Sequence, residues 1–269
     1  MNKKIIVSLM LAGCMFYQWS ANAAISTNVN TVNSSEMLNS SDDLTAQAGY
    51  YELSPAGVKE VPLSTMEMFA IQQGQSIVWD PNVNNGGWFP DDSWTIPEEE
   101  VPPTDPGMIV IDDIINLGER IWKIVVANKP VVNVQLRRAS AVPTGIEHWL
   151  QLDSWSDPVA KKYQITYKNA FGMTVTEFEF ILTYVHSGAV NGTGKFLSEV
   201  GFMVSKLNVV WGFTFNAESA IVRTVNVGTR AAPIAGMEVN LSWTVDTVIK
   251  HAQQSQTIYL RGDGKMQEF

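Results

Sequence analysis

The chain predicts a mainly β fold, an antiparallel β-sandwich with a barrel as the second choice, carrying one packing α-helix and an irregular acidic N-terminal arm. Three observations carry that expectation. Beyond about residue 130 apolar and polar residues alternate with a period of two, the mark of strands buried on one face. Turn chemistry recurs between these runs, at Asn169-Ala170-Phe171-Gly172, at Ser187 to Gly194 with its Asn191-Gly192 pair, and at Asn226 to Pro233. No rhythm of strand, helix, strand appears, which excludes Rossmann-like and TIM-like folds.

The strands are read one by one. Val132, Val134 and Leu136 alternate, and Ile146, His148, Leu150 and Leu152 do so less cleanly. Tyr163, Ile165 and Tyr167 follow, then Phe178, Phe180, Leu182 and Tyr184, then Val209, Trp211, Phe213 and Phe215. The clearest is Met237, Val239, Leu241, Trp243 and Val245, separated by Glu238, Asn240, Ser242, Thr244 and Asp246. One side of that strand is packed and the other is wet.

The helix is expected over Asp105 to Asn128. Ile111, Ile114, Ile115, Gly118, Ile121, Trp122 and Val125 follow i, i+3, i+4 spacing, with Asp105 and Pro106 at the start and Asn128 and Pro130 at the stop. Its stripe would close one face or end of the sandwich. A shorter helix is expected near residues 65–73, because Ser64-Thr65-Met66-Glu67 has capping-box spacing.

Three regions follow. Residues 1–23 read as a signal peptide, with Lys3 and Lys4 before the apolar run Ile5 to Trp19 and a small-x-small site ending at Ala23, so that Ala24 begins the mature chain. Leu11-Ala12-Gly13-Cys14 offers a rival processing, since it resembles the lipobox in which Cys14 is lipidated. Either route exports the protein in bacterial style, to the periplasm, the outer membrane or the medium. Residues 24–107 read as the acidic arm, Ser/Asn-rich and then Pro/Trp-rich, and 108–269 as the sandwich with its helix.

Composition narrows the function. The chain is at −9, but the charge is uneven. Residues 24–107 hold 13 acids against the single Lys59, whereas 108–269 hold 14 acids against 15 bases. No clustered cationic face exists to displace counterions, so nucleic acid is excluded as a partner. Cys14 is the only cysteine, so no intrachain disulfide can form and thiol chemistry is absent from a chain beginning at Ala24. After the signal no apolar run reaches the length of a membrane helix.

Candidate site residues lie in the arm. Trp79, Trp88 and Trp94 stand among Asp80, Asp91 and Asp92 in a stretch too rich in Pro, Gly and Asn for regular structure. Flat rings beside carboxylates suit the faces and hydroxyls of sugars, so the expected function is binding or structural, with a glycan or a surface protein as partner. The same aspartates offer the hard oxygens of a calcium site, although their spacing departs from the EF-hand pattern. Two alternatives stand beside this reading. One is a secreted hydrolase, for which Glu177 and Glu179 would share a strand face and present paired carboxylates, although glycosidase acids flank the bond at a defined separation and usually come from different strands. The other is a membrane-active toxin, with Thr214 to Thr229 as an insertion hairpin. His148, His186 and His251 are isolated in sequence and match no catalytic motif. Arg261-Gly262-Asp263 reads as turn chemistry at a strand end. Arg137-Arg138 and Lys161-Lys162 are the basic pairs that can dock the acidic arm.

Overall fold

The computed structural model describes residues 45–54, 57–72, 77–80, 87–90, 101–103, 105–131 and 138–269, with backbone alone for 77–80 and 87–90. Two six-stranded sheets pack face to face. The first has the order β1-β8-β9-β10-β7-β4: β1 (Val58–Val61), β8 (Val159–Lys168), β9 (Thr174–Val190), β10 (Thr193–Val209), β7 (Ala139–Thr144) and β4 (Val110–Leu117). The second runs β14-β13-β12-β11-β5-β6: β14 (Met266–Glu268), β13 (His251–Arg261), β12 (Ala235–Asp246), β11 (Thr214–Asn226), β5 (Ile121–Val126) and β6 (Lys129–Pro130). A separate hairpin pairs β2 (Ile77–Asp80) with β3 (Gly87–Pro90). All the ladders between these strands are antiparallel, and both large sheets keep open edges, so the sandwich expectation holds and no barrel closes among the described residues.

The alternation does what the sequence asks of it. Tyr163, Ile165, Phe178, Phe180 and Leu182 of the first sheet face Phe215, Met237, Val239 and Leu241 of the second, all buried in one core. Phe178 meets Phe215 across the gap at 4.8 Å between ring centres. Inside, Trp243 Nε1 donates to Tyr167 Oη at 3.0 Å, and Tyr167 in turn donates to Gln254 at 2.9 Å. Asn191 and Gly192 both take positive φ, 48° and 74°, which fits the primed turn that joins β9 to β10.

The long helix expected over Asp105 to Asn128 does not form. That stretch makes β4 and β5, which belong to different sheets and meet at a corner over 118–120. Nine of its residues are β-branched (Ile109, Val110, Ile111, Ile114, Ile115, Ile121, Ile124, Val125 and Val126), and such side chains fit a pleated surface better than a helix. Two short period-two strands with a corner between them reset the phase, so the inward Ile114, Trp122 and Val125 imitate a helical stripe. Gly118 sits at φ +100°, and a Cβ there would fall 2.3 Å from the carbonyl oxygen of Arg138. Asp105 caps a turn instead of a helix, accepting from the Gly107 N–H at 3.0 Å.

Two further expected strands are corrected. Val209 to Phe215 spans the end of β10, a turn at 210–213 and the start of β11, which leaves Trp211 outside. Ile146 to Leu152 holds a 3₁₀ turn (Trp149–Gln151), where His148 Nδ1 accepts from the Leu150 N–H and the Gln151 side chain accepts from the His148 N–H. Thr214 to Thr229 is not a hairpin but mostly the single strand β11, paired on one side with β12 and on the other with β5. The alternation at Val132, Val134 and Leu136 lies outside the described residues.

Within the region expected as an arm, α1 (45–51), β1 and α2 (Thr65–Gln72) fold onto the sandwich. The capping box of α2 is made: the Ser64 N–H donates to Glu67 at 2.7 Å and the Glu67 N–H to Ser64 Oγ at 3.2 Å. Ala70, Ile71 and Leu63 cover Ile181 and Met203 on the outer face of the first sheet. The basic pair Lys161-Lys162 meets this acidic stretch, Lys161 with Glu60 at 3.0 Å and Lys162 with Glu67 at 2.9 Å. Arg138 pairs with Glu199.

Candidate functional site

The second sheet leaves its outer face open, and a groove of about 340 Å³ lies there. It follows from the alternation of three strands. β12 turns Ser242 and Thr244 outward while Trp243 goes in; β11 contributes Asn216 and Glu218, and β13 contributes Gln253, which lies opposite Thr244. On the β5 side the register slips between Ala217 and Glu218, so Ala217 pairs with Val125 while Glu218 pairs with Lys123. Val125, Ala217 and Trp243 border the groove while their side chains stay in the core.

The groove is thus lined by the amides and hydroxyls of Asn216, Ser242, Thr244 and Gln253, with the exposed Val126 as its apolar side chain. Asn216 is held in place: its Oδ1 accepts from the Ala127 N–H at 2.8 Å and its Nδ2 reaches Thr244 Oγ1 at 3.5 Å. Thr244 donates onward to Asp246 at 3.4 Å. Lys123 and Glu218 sit opposite one another in the ladder, so the rim carries both signs and selects for neither. Such a lining can exchange hydrogen bonds in both directions with a neutral, hydroxyl-bearing ligand.

The residues singled out in the sequence fall elsewhere. Trp79 lies opposite Trp88, and Asp80 opposite Gly87, in the β2–β3 ladder. The side chains of these residues, and all of Asp91, Asp92 and Trp94, lie outside the described residues, as do Cys14, Ala23 and Ala24. Among the described residues no three His, Cys, Asp or Glu side chains gather as metal ligands. Glu177 and Glu179 do share a face, where both accept from Gln164, at 2.9 and 3.1 Å, and are further engaged by Lys206 and Lys162.

The histidines are tied into local structure. His186 contacts Ser187 Oγ at 2.8 Å, and burial pushes its imidazole below the ordinary value despite the nearby Asp263. His251 pairs with Asp246. In the Arg261-Gly262-Asp263 turn the guanidinium makes a fork to the Asp263 carboxylate at 3.0 and 2.8 Å, and this bond holds Asp263 below the usual carboxylate range. The tripeptide engages itself, and Gly262 lies against the Lys195 carbonyl.

Of the groove residues, Ser242 and Thr244 are legible in the sequence as the wet side of an alternating strand; Asn216, Glu218 and Gln253 carry no such signal, and Lys123 and Val125 fall in the stretch expected as a helix. What no pattern disclosed was the bulge that turns this face from flat to grooved. Comparison with family models, with curated proteins and with solved structures gave no match for this chain.

Proposed function

We propose that this is an exported binding protein whose ligand is a glycan segment, taken along the groove on the outer face of the second sheet. One observation carries the reading: a groove lined by Asn216, Ser242, Thr244 and Gln253, amides and hydroxyls that both donate and accept, beside the exposed Val126. The N-terminal run before Ala24 supports export, and the mixed rim favours a neutral polyol over a phosphorylated ligand, which would call for a cationic cluster. Catalysis is not part of the proposal, because the paired carboxylates Glu177 and Glu179 are on the other sheet and engaged by Gln164, Lys162 and Lys206.

The test is a glycan array with the chain from Ala24, followed by calorimetry on the glycans it retains. Replacing Thr244 by Val together with Gln253 by Ala is expected to weaken binding at least tenfold with no turnover of the glycan. Retention of no glycan would sink the proposal. So would affinity that survives the double replacement and disappears in Trp88→Ala or Trp94→Ala, since the ligand would then sit at the aromatic stretch and not in the groove.

A further inference from the structure

One end of the sandwich gathers three connections: the β8–β9 turn over 169–173, the β10–β11 link over 210–213 and the β12–β13 turn over 247–250. The ladder places them together, because Val209 pairs with Thr176, Thr214 with Asp246, and Asp246 with His251. Each tip holds large apolar side chains out of the fold: Phe171 and Met173, then Val210 and Trp211, then Val248 and Ile249. Trp211 is 83% exposed and Val248 74%, which is unusual for residues that bury so readily. Elsewhere among the described residues Met66, Met68 and Phe69 stand exposed on α2, and others such as Ile121, Leu150 and Val222 stand on separate elements.

These tips are fixed. Asn169 Oδ1 accepts from the N–H groups of Phe171 and Met173, at 3.0 and 3.1 Å. Thr247 Oγ1 accepts from the N–H groups of Ile249 and Lys250, at 3.3 and 2.8 Å. Tyr50 of α1 donates to the Trp211 carbonyl at 3.1 Å. The chain thus spends hydrogen bonds on holding apolar side chains in water, and little ordering entropy is left to lose when they are covered.

We propose that this end of the sandwich docks on a lipid bilayer, with Trp211, Phe171, Val248 and Ile249 entering the headgroup boundary. The shape favours a fluid partner: separate protruding points need no complementary relief in a bilayer, whereas a protein partner would need a pocket for each. Trp suits the boundary because its ring has an apolar body and a polar N–H. Lys168 stands at the base of one tip and Lys129 at the neighbouring β5–β6 turn, placed to meet anionic headgroups. The facing acids are few: Glu52 pairs with Lys250 and Asp246 with His251.

The experiment uses the chain from Ala24, which carries no lipid, with sedimentation on vesicles of phosphatidylcholine and phosphatidylglycerol at low and physiological salt. Binding is expected, at least tenfold weaker in the Trp211→Ser, Ile249→Ser double variant and weaker again in Lys168→Glu, while Leu150→Ser, on the opposite end, binds as the parent does. Circular dichroism of each variant establishes that it is folded. The proposal is overturned if the folded parent does not bind vesicles, or if the double variant binds undiminished. It is also overturned if the parent forms a dimer that the double variant loses, because the tips would then serve a second copy of the chain.

Discussion

Glu67 is the most constrained ionisable side chain in the described fold. It is 2% exposed, yet it faces the outer side of a sheet, roofed by its own helix. Burial alone would raise its carboxyl, but bonds from Ser205 at 2.6 Å, from Ser64 and from Lys162 outweigh this and hold it below the ordinary glutamate value. Removing one partner of a buried pair strands the other, at a cost of about 3 kcal/mol. Glu67→Ala is therefore expected to lower the unfolding free energy by about that amount in urea, and hydrogen exchange should show α2 losing protection. Equal stability would mean that Lys162 is satisfied by Glu179 alone. Gly118 sets a second limit at this scale. With φ at +100° and the Arg138 carbonyl against it, Gly118→Ala is expected to cost about 2 kcal/mol or more, read from the same denaturation curves.

The elements explain why one part of the sequence was readable and another was not. β12 declares itself: five buried residues alternate with five polar ones, and nothing interrupts the phase. β4 and β5 do not. Each is short, a corner separates them, and the bulge opposite Ala217 adds a residue, so buried positions recur at intervals that imitate a helix. The β-branched content of that stretch was the signal that could have decided it. Trp211 failed for a related reason, since residues at alternating positions across a tight link look like a strand. Only the β12 part of the groove, Ser242 and Thr244, was legible as a polar strand face; the rest depends on pairing between strands far apart in sequence, which no local pattern carries. Asn128 tests the element that makes the bulge. At φ 67° it closes the β5–β6 turn, accepts from the Phe215 N–H at 2.5 Å and donates to the Phe213 carbonyl at 3.0 Å. Asn128→Ala is expected to cost about 2 kcal/mol and to raise hydrogen exchange in β5 and the start of β11. Unchanged exchange there would show that the side chain does not hold β5 to its neighbour.

At the scale of the whole molecule, the two sheets share one core and no disulfide ties them, so stability should ignore reductant and respond to pH through particular groups. The signs can be worked out. His186 lies below its ordinary value near 6.5, so its unfolded form takes up a proton first, and stability falls as pH drops below about 6.5. Glu67, lowered from 4.5, adds a second loss as pH falls below that value and through its folded one. On the alkaline side, Tyr163 is pushed up by burial and by Glu268, so the unfolded phenol ionises first and stability falls above about 10. Lys162, raised by its carboxylate partners against the opposing effect of burial, contributes below 10.5 and is lost as pH rises through its folded value. These groups together predict a plateau between about pH 7 and 10 with a loss on each side. A chain of pI near 4.8 governed by net-charge repulsion alone would instead be most stable near pH 5. Urea midpoints measured from pH 3 to 11 separate the two, and a maximum near pH 5 would show that bulk repulsion outweighs the buried pairs.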